Sequence, residues 1–368
     1  MFEEYLHDPQ NSLVEAAIDE GRIPIGYTCS LVPDVLLSIP PFFPIRMSAP
    51  GVTGTEIADI YLSNLTCSYV RSLLEFAMDG RYDFLGGWVH AVSCDHLRRL
   101  HDNMEYVIPP DFSYILDIPH RASEEALAWY IDDLLAFIKK LEGHFGVNIT
   151  DDAIIKAIKE KNNFLQMLSS IGEMRKLDGP PFSGTEFHKL MIAALTLPRE
   201  MIEKPITDFK NGLPEKEGSN SYRARLMVVG GQLDDYHYIA AIESTGALVV
   251  ADRICTGSIP GLNQIKVSDD PLVDIAQHTL TTPCCPRMMD DFDKRAEQII
   301  SVANEYKVEG IIIEVIKFCD TWGVESAELQ TILRDAGFKV LPLEREYSRT
   351  AEGQLQTRVQ AFLESMGK

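Results

Sequence analysis

Two stretches decide the fold: "VHAVSCDHLRRL", residues 89–100, and "EVIKFCDTWGVE", residues 314–325. Each is an apolar run that ends at a cysteine, Cys94 or Cys319. An aspartate follows, Asp95 or Asp320, and then a helix-like pattern. A strand-length run without polar alternation suits a strand covered on both faces, as in a parallel sheet. A strand that feeds a helix at once predicts a repeating strand–helix–strand unit.

The same rhythm extends outward from both stretches. In the first part, "IPIGYTCS" (23–30), "FFPIRMSA" (42–49), "YDFLGGWVHAVS" and "FSYILDIP" (112–119) read as strands. Pro33 can open a helix with "DVLL", and "LTCSYVRSLLEFAMDG" is helical from about Ser68 to a C-cap at Gly80. The middle is helical. Leu127, Tyr130, Leu134, Phe137, Ile138 and Leu141 share one face of a helix that Ser123 can cap. A second helix follows Thr150, a third lies within "GTEFHKLMIAAL", and the polar stretch 211–221 reads as a linker. Then the alternation resumes, with strands at "ARLMVVGG", "ALVVADRI", "IIIEVIKF" and "KVLPLERE" and helices between them.

The two alternating parts correspond. Cys29 after the first strand matches the Gly230–Gly231 turn. "VSCDHLRRL" matches "KFCDTWGVE", and "TCSYVRSLLEF" matches "CCPRMMDDFDKRAEQII". The period is too long for a solenoid. We expect an α/β protein of two doubly wound parallel-sheet domains. Residues 1–121 form the first, 122–220 a helical segment and linker, and 221–368 the second with a closing helix.

Composition narrows the function. The chain has 368 residues and a net charge of −21, from 55 acidic against 34 basic side chains. That surface opposes general nucleic-acid binding, which neutralises phosphates with cations. No run approaches a membrane-spanning length, and the acidic N-terminus lacks a signal core, so a cytoplasmic location is expected. There is no GxxxxGK[ST] segment, so any ATP hydrolysis belongs to a partner. The "VVGGQLDD" turn lacks GxGxxG and carries acids where a phosphate would sit, which argues against a dinucleotide site.

The cysteines carry the functional signal. All seven lie at an expected strand end or helix start. Cys29, Cys94, Cys255 and Cys319 follow strands, and Cys67 and the pair Cys284–Cys285 precede helices. A parallel sheet presents its chemistry at that edge. Cysteines kept only as small apolar residues would also appear within strands and on helix faces. An odd count in a cytoplasmic chain disfavours disulfides. Thiolates suit zinc, copper(I) or iron–sulfur clusters, but neither a CxxC zinc knuckle nor a dense ferredoxin motif is present. A helix N-terminus would favour the thiolate form.

The chain resembles the iron–sulfur subunits of 2-hydroxyacyl-CoA dehydratases and ATP-dependent benzoyl-CoA reductases. The resemblance rests on "GYTCSLVPDVLL", "LTCSYVRSLLE", "GGWVHAVSCDHLRRL", "VVADRICTG", "CCPRM", "EGIIIEVIKFCDTWGVE" and "LEREYSRTAEGQLQTRVQAFLE", in that order. It implies two Rossmann-like domains. It implies a [4Fe–4S] cluster on the positions matching Cys67, Cys94 and Cys319. It also implies an oxygen-sensitive, low-potential enzyme that passes electrons to an acyl-CoA thioester by ketyl radical chemistry. The implied partners are a second homologous subunit or second copy, and a separate ATP-dependent iron–sulfur activator. One branch of the family implies instead a homodimeric reductase of small molecules with an [8Fe–9S] double-cubane cluster, for which Cys29, Cys255, Cys284 and Cys285 are the additional ligand candidates. A third reading is a non-catalytic subunit that only relays electrons.

No catalytic acid or base is assigned. Asp95 and Asp320 are expected to cap their helices, because a carboxylate aimed at a bound thiolate would repel it. Ser68 and Ser30 are candidates for the same role. His90 and His96 flank Cys94 and are candidates to hydrogen-bond a cluster sulfur. The bland alternative puts one on the far side of the strand and the other on the helix surface. Trp322, Glu325, Glu346 and Tyr347 lie at the same sheet edge as candidate pocket residues.

Overall fold

Strands that are apolar at nearly every position need cover on both faces, and that requirement organises the chain. The computed structural model describes residues 1–213, 218, 221–258, 262–282, 285–349 and 352–368. Strands β1 (Ile23–Tyr27), β2 (Phe42–Arg46), β3 (Gly87–Ala91) and β4 (Ser113–Leu116) form one parallel sheet in the order β2-β1-β3-β4. Strands β5 (Arg225–Gly230), β6 (Leu248–Arg253), β7 (Gly310–Ile316) and β8 (Lys339–Arg345) form a second in the order β6-β5-β7-β8. The two sheets have the same topology, so the expected α/β architecture of two Rossmann-like units holds. Cys94 and Cys319 follow equivalent strands, β3 and β7. In each sheet the connections change side between the first strand and its neighbour, β1 with β3 and β5 with β7. That switch point is where open α/β sheets bind ligands.

The period of two sorts the strand residues into cores. Ile25, Tyr27, Val89 and Ala91 face one side of the first sheet, where helices α4 (Glu124–Phe145) and α5 (Asp151–Gly172) pack. Trp88 faces the other side, with α2 (Ser68–Met78) and α3 (Asp95–Val107). In the second sheet Leu226, Val228 and Ile312 face α8 (Tyr236–Glu243) and the closing helix Glu352–Ser365. Met227, Val229, Ile311 and Ile313 face the other layer. The caps expected at Ser123 and Thr150 are present, accepting the N–H groups of Ala126 and Ala153.

Several elements differ from expectation. Pro33 opens no α-helix; only a 3-10 turn, Leu36–Ser38, follows it. Among the described residues three helices were not read from the sequence: α1 (Ser12–Asp19), α7 (Arg199–Gly212), which follows α6 (Gly184–Thr196), and α9 (Pro271–Thr281), which follows α8. Asn211 and Gly212 end α7 instead of starting a linker. Most of the remaining stretch falls outside the described residues. Helix α9 packs on α4, and its Leu272, Ile275, Ala276 and Leu280 complete the core of the first sheet. The chain between β6 and β7 therefore crosses back to the first sheet before α10 (Phe292–Glu305) and α11 (Asp320–Asp335) cover the second.

Candidate functional site

The loops after the strands of both sheets meet. Ser30 Oγ donates to the Cys255 carbonyl at 3.1 Å, and Arg46 Nη2 donates to Gln232 Oε1 at 2.9 Å. Tyr347 binds across the cleft twice, to Ser68 and Ala49, and once within its own half, to Asp234. Its N–H donates to Ser68 Oγ at 2.8 Å, its hydroxyl accepts the Ala49 N–H at 2.9 Å, and the hydroxyl donates to Asp234 Oδ2 at 2.7 Å.

Cys67, Cys94 and Cys319 occupy one position type three times. Each is the N-cap residue of the helix that follows it, α2, α3 and α11. The N-cap position expected of Asp95 and Asp320 is therefore held by Cys94 and Cys319, of which only Cys94 caps through its side chain, and the aspartates are the first helical residues. There a carboxylate still favours the helix dipole. The Cys94 Sγ accepts the Leu97 N–H at 3.5 Å, and Cys319 Sγ lies 3.5 Å from Thr321 Oγ1. Ser68 and Ser30 do not cap either; both bind across the cleft. Before Cys319, Phe318 adopts a left-handed φ of 66°, which costs a bulky residue about 1–3 kcal/mol. That turn ends β7 and sets the direction of the Cys319 loop.

The three thiols share one apolar cluster. Cys67 is a buried member, and Cys94, Cys319 and Cys29 pack against it beside Tyr69, Leu97, Ile316 and Tyr347. Burial pushes the Cys67 thiol up, and it is opposed by the Val70 N–H; ionised Cys94 and Cys319 would raise it further. Burial likewise raises Cys94 to about 12, against the Leu97 N–H, and raises Cys319, against Thr321 and the Trp322 N–H. The helix termini thus lower these thiols as expected, but desolvation outweighs them. Among the described residues no three His, Cys, Asp or Glu side chains are arranged around a common point as ligands of one metal ion.

Three more cysteines border the same cleft. Cys29 follows β1, accepts the Leu31 N–H at 3.5 Å and packs against the cores on both faces of the first sheet. Cys255 donates its N–H to the Gly231 carbonyl at 2.9 Å. Cys285 does not precede a helix directly: a turn and a 3-10 segment intervene before α10 starts at Phe292. Cys284 lies outside the described residues. The Cys285 loop is clamped by two arginines. Arg287 donates to the carbonyls of Val92, Ile118 and Pro119, and Arg295 donates to the carbonyls of Cys285 and Met288.

The flanking residues sort into distinct roles. His90 is fully buried, its Nδ1 3.4 Å from Thr28 Oγ1, and burial lowers it to about 3, so it stays neutral. Its ring contacts that of His101. His96, by contrast, accepts the Cys67 N–H on Nδ1 at 3.3 Å and holds Nε2 3.7 Å from Asp320 Oδ2. Trp322 is buried in the second core with its ring against Gly231. Glu325 forms an ion pair with Arg295 and is structural. Glu346 lies 3.8 Å from Lys317. Arg46, Gln232 and Asp234 were not singled out in the sequence, although an arginine closing the apolar run "FFPIR" is a visible signal. Two cavities of about 260 and 430 Å³ flank the Arg349–Asp235 ion pair, and Tyr347 lines both. Tyr347 thus joins the thiol cluster to open space large enough for a ligand.

Comparison with known proteins gives a consistent result. The family model described as 2-hydroxyglutaryl-CoA dehydratase, D-component, matches residues 29–366. The (R)-phenyllactyl-CoA dehydratase beta subunit of Clostridium sporogenes is 22% identical over 99% of this chain and 97% of its own length. A benzoyl-CoA reductase subunit of Thauera aromatica is 22% identical over 82% of this chain and 80% of its own length. The (R)-2-hydroxyglutaryl-CoA dehydratase subunit beta of Acidaminococcus fermentans is 22% identical over 94% and 93%.

Proposed function

Because the chain belongs to the 2-hydroxyglutaryl-CoA dehydratase D-component family, we propose that it is the iron–sulfur subunit of a low-potential acyl-CoA dehydratase or reductase. Cys67, Cys94 and Cys319 would hold a [4Fe–4S] cluster. The observation that carries this reading is their convergence: three N-cap thiols, from both sheets, in one apolar cluster. The donor set fits. Thiolates are the ligands of such clusters, and three of them leave one iron free for another ligand. The N–H groups of Val70, Leu97 and Trp322 already oppose the burial of the sulfurs and would stabilise their anionic form. When bound, such a cluster would supply single electrons at low potential for reduction of an acyl-CoA thioester. The apolar residues around the thiols would keep water from the bound group, and the cavities beside Tyr347 offer a place for the substrate. The buried thiols must lose their protons on loading, so assembly releases acid. A second subunit or second copy, and a separate ATP-hydrolysing activator, complete the system.

Iron and sulfide analysis of anoxically purified protein tests this. About four irons per chain are expected for one cubane. Cys67→Ser, Cys94→Ser and Cys319→Ser should each lose most of the iron. A Cys94→Ser protein with full iron content would overturn the ligand assignment, and iron-free wild type would overturn the cluster. Turnover of an acyl-CoA with an ATP-dependent activator separates the enzyme from a subunit that only relays electrons.

A second reading is favoured by one observation: Cys29, Cys255 and Cys285 border the same cleft, and Cys29 packs against the same cluster as the first three thiols. They would supply additional ligands for an [8Fe–9S] double-cubane cluster in a homodimeric reductase of small molecules. About eight irons per chain, falling on Cys29→Ser, would select it over the single cubane.

A further inference from the structure

Arg46 ends β2, in register with Tyr27 of the central strand β1, and its guanidinium stacks on the Tyr27 ring at 5.4 Å. It is only 3% exposed. Nη1 donates to Ser30 Oγ at 3.2 Å and Nη2 to Gln232 Oε1 at 2.9 Å, both uncharged acceptors. Its Nε is buried without a hydrogen-bond partner among the described residues. No carboxylate pairs with it among those residues. The other arginines buried in this region are satisfied. Arg295 pairs with Glu325, Arg345 pairs with Glu314, and Arg287 spends its N–H groups on three carbonyls.

A cation removed from water is costly unless an anion meets it. The groups that touch Arg46 are uncharged, the Ser30 hydroxyl, the Gln232 amide and the Tyr27 ring, and the cysteine loops lie just beyond them. Ser30, its hydrogen-bond partner, follows Cys29 in the chain and binds the Cys255 carbonyl. The charge therefore sits at the seam of the two sheets, on the side where the cysteine loops converge. Negative charge held by those loops would offset the cost of burying it.

We infer that Arg46 is the resident counter-cation of the anionic group that the cysteine loops hold, a positioning residue that stabilises its reduced, more negative state. This rests on the iron–sulfur reading above. Removing the charge should disfavour uptake of the electron, and keeping it as lysine should largely preserve it.

The test compares wild type, Arg46→Lys and Arg46→Gln. In anoxically reconstituted protein of equal iron content, an EPR-monitored redox titration should show Arg46→Gln binding the electron about tenfold less tightly. That corresponds to a midpoint lower by about 59 mV for one electron. Arg46→Lys should stay near wild type. Equal midpoints for wild type and Arg46→Gln would overturn the inference. Thermal unfolding of the metal-free proteins gives an independent arm. An unpaired buried charge predicts that metal-free Arg46→Gln melts at or above wild type, whereas a lower melting temperature would show a mere strut and overturn the role. If wild type binds no iron, the cluster reading fails by itself, and the metal-free comparison still decides Arg46.

Discussion

His96 accepts the backbone N–H of Cys67 on Nδ1 at 3.3 Å, two residues beyond Cys94 in its own helix. Its other nitrogen points to Asp320, the residue after Cys319. One imidazole thus touches the loops of all three candidate ligands. The Cys67 amide fixes Nδ1 as acceptor, so the neutral ring carries its proton on Nε2, facing the carboxylate.

Replacing His96 with alanine should loosen that brace while leaving the fold intact. The loss of one partly buried hydrogen bond predicts a stability decrease of about 1 kcal/mol. The specific expectation is faster hydrogen exchange at the Cys67 amide and faster loss of iron to a chelator. An unchanged exchange rate at Cys67 would remove His96 from this role.

Tyr347 predicts a second effect, at the seam between the sheets. Its hydroxyl accepts from Ala49 N–H and donates to Asp234, whose carboxyl burial raises above the ordinary range. Tyr347→Phe leaves both groups buried without this partner. It should cost about 1–3 kcal/mol and raise hydrogen exchange in residues 47–51 and 232–236 more than in the β-strands. Uniform exchange across the chain would argue against a local seam.

Arg175 and Asp252 form a buried ion pair at 2.8 Å, 4% and 7% exposed. Asp252 also accepts from the Ser258 hydroxyl. Breaking the pair with Asp252→Ala strands a buried guanidinium and should destabilise by about 3–5 kcal/mol. Replacing both with apolar side chains should recover much of that loss. Urea unfolding of the single and double variants decides between them.

Two buried histidines predict a pH dependence. Burial lowers His90 to about 3 and His188 to about 4, so both are neutral in the folded protein. In the unfolded chain they protonate near 6.5. Below that pH the unfolded state binds protons that the folded state does not, so stability falls as pH falls from about 6.5 toward 4. Each contributes up to about 1.4 kcal/mol per pH unit. Urea midpoints at pH 7.5 and 5.5 measure the slope, and His188→Gln should reduce it.

The sequence by itself determined the parallel α/β class, the matching order of helices and strands in two halves, the middle helices with their Ser123 and Thr150 caps, and the strand-end placement of Cys29, Cys94, Cys255 and Cys319. These follow from short-range signals: apolar runs, a 3.6-residue stripe and cap chemistry within a few residues. Tertiary structure alone decided that Cys94 and Cys319, not the aspartates after them, take the N-cap position. It also decided that α9 returns to the first sheet, that His96 links three loops, and that Arg46 lies buried without a carboxylate. Cys67, Cys94 and Cys319 share an apolar cluster although the last is more than two hundred residues from the others in sequence. Such meetings depend on how the loops after the strands of two sheets come together, and desolvation in that seam, not the local helix start, sets the charge state of the thiols.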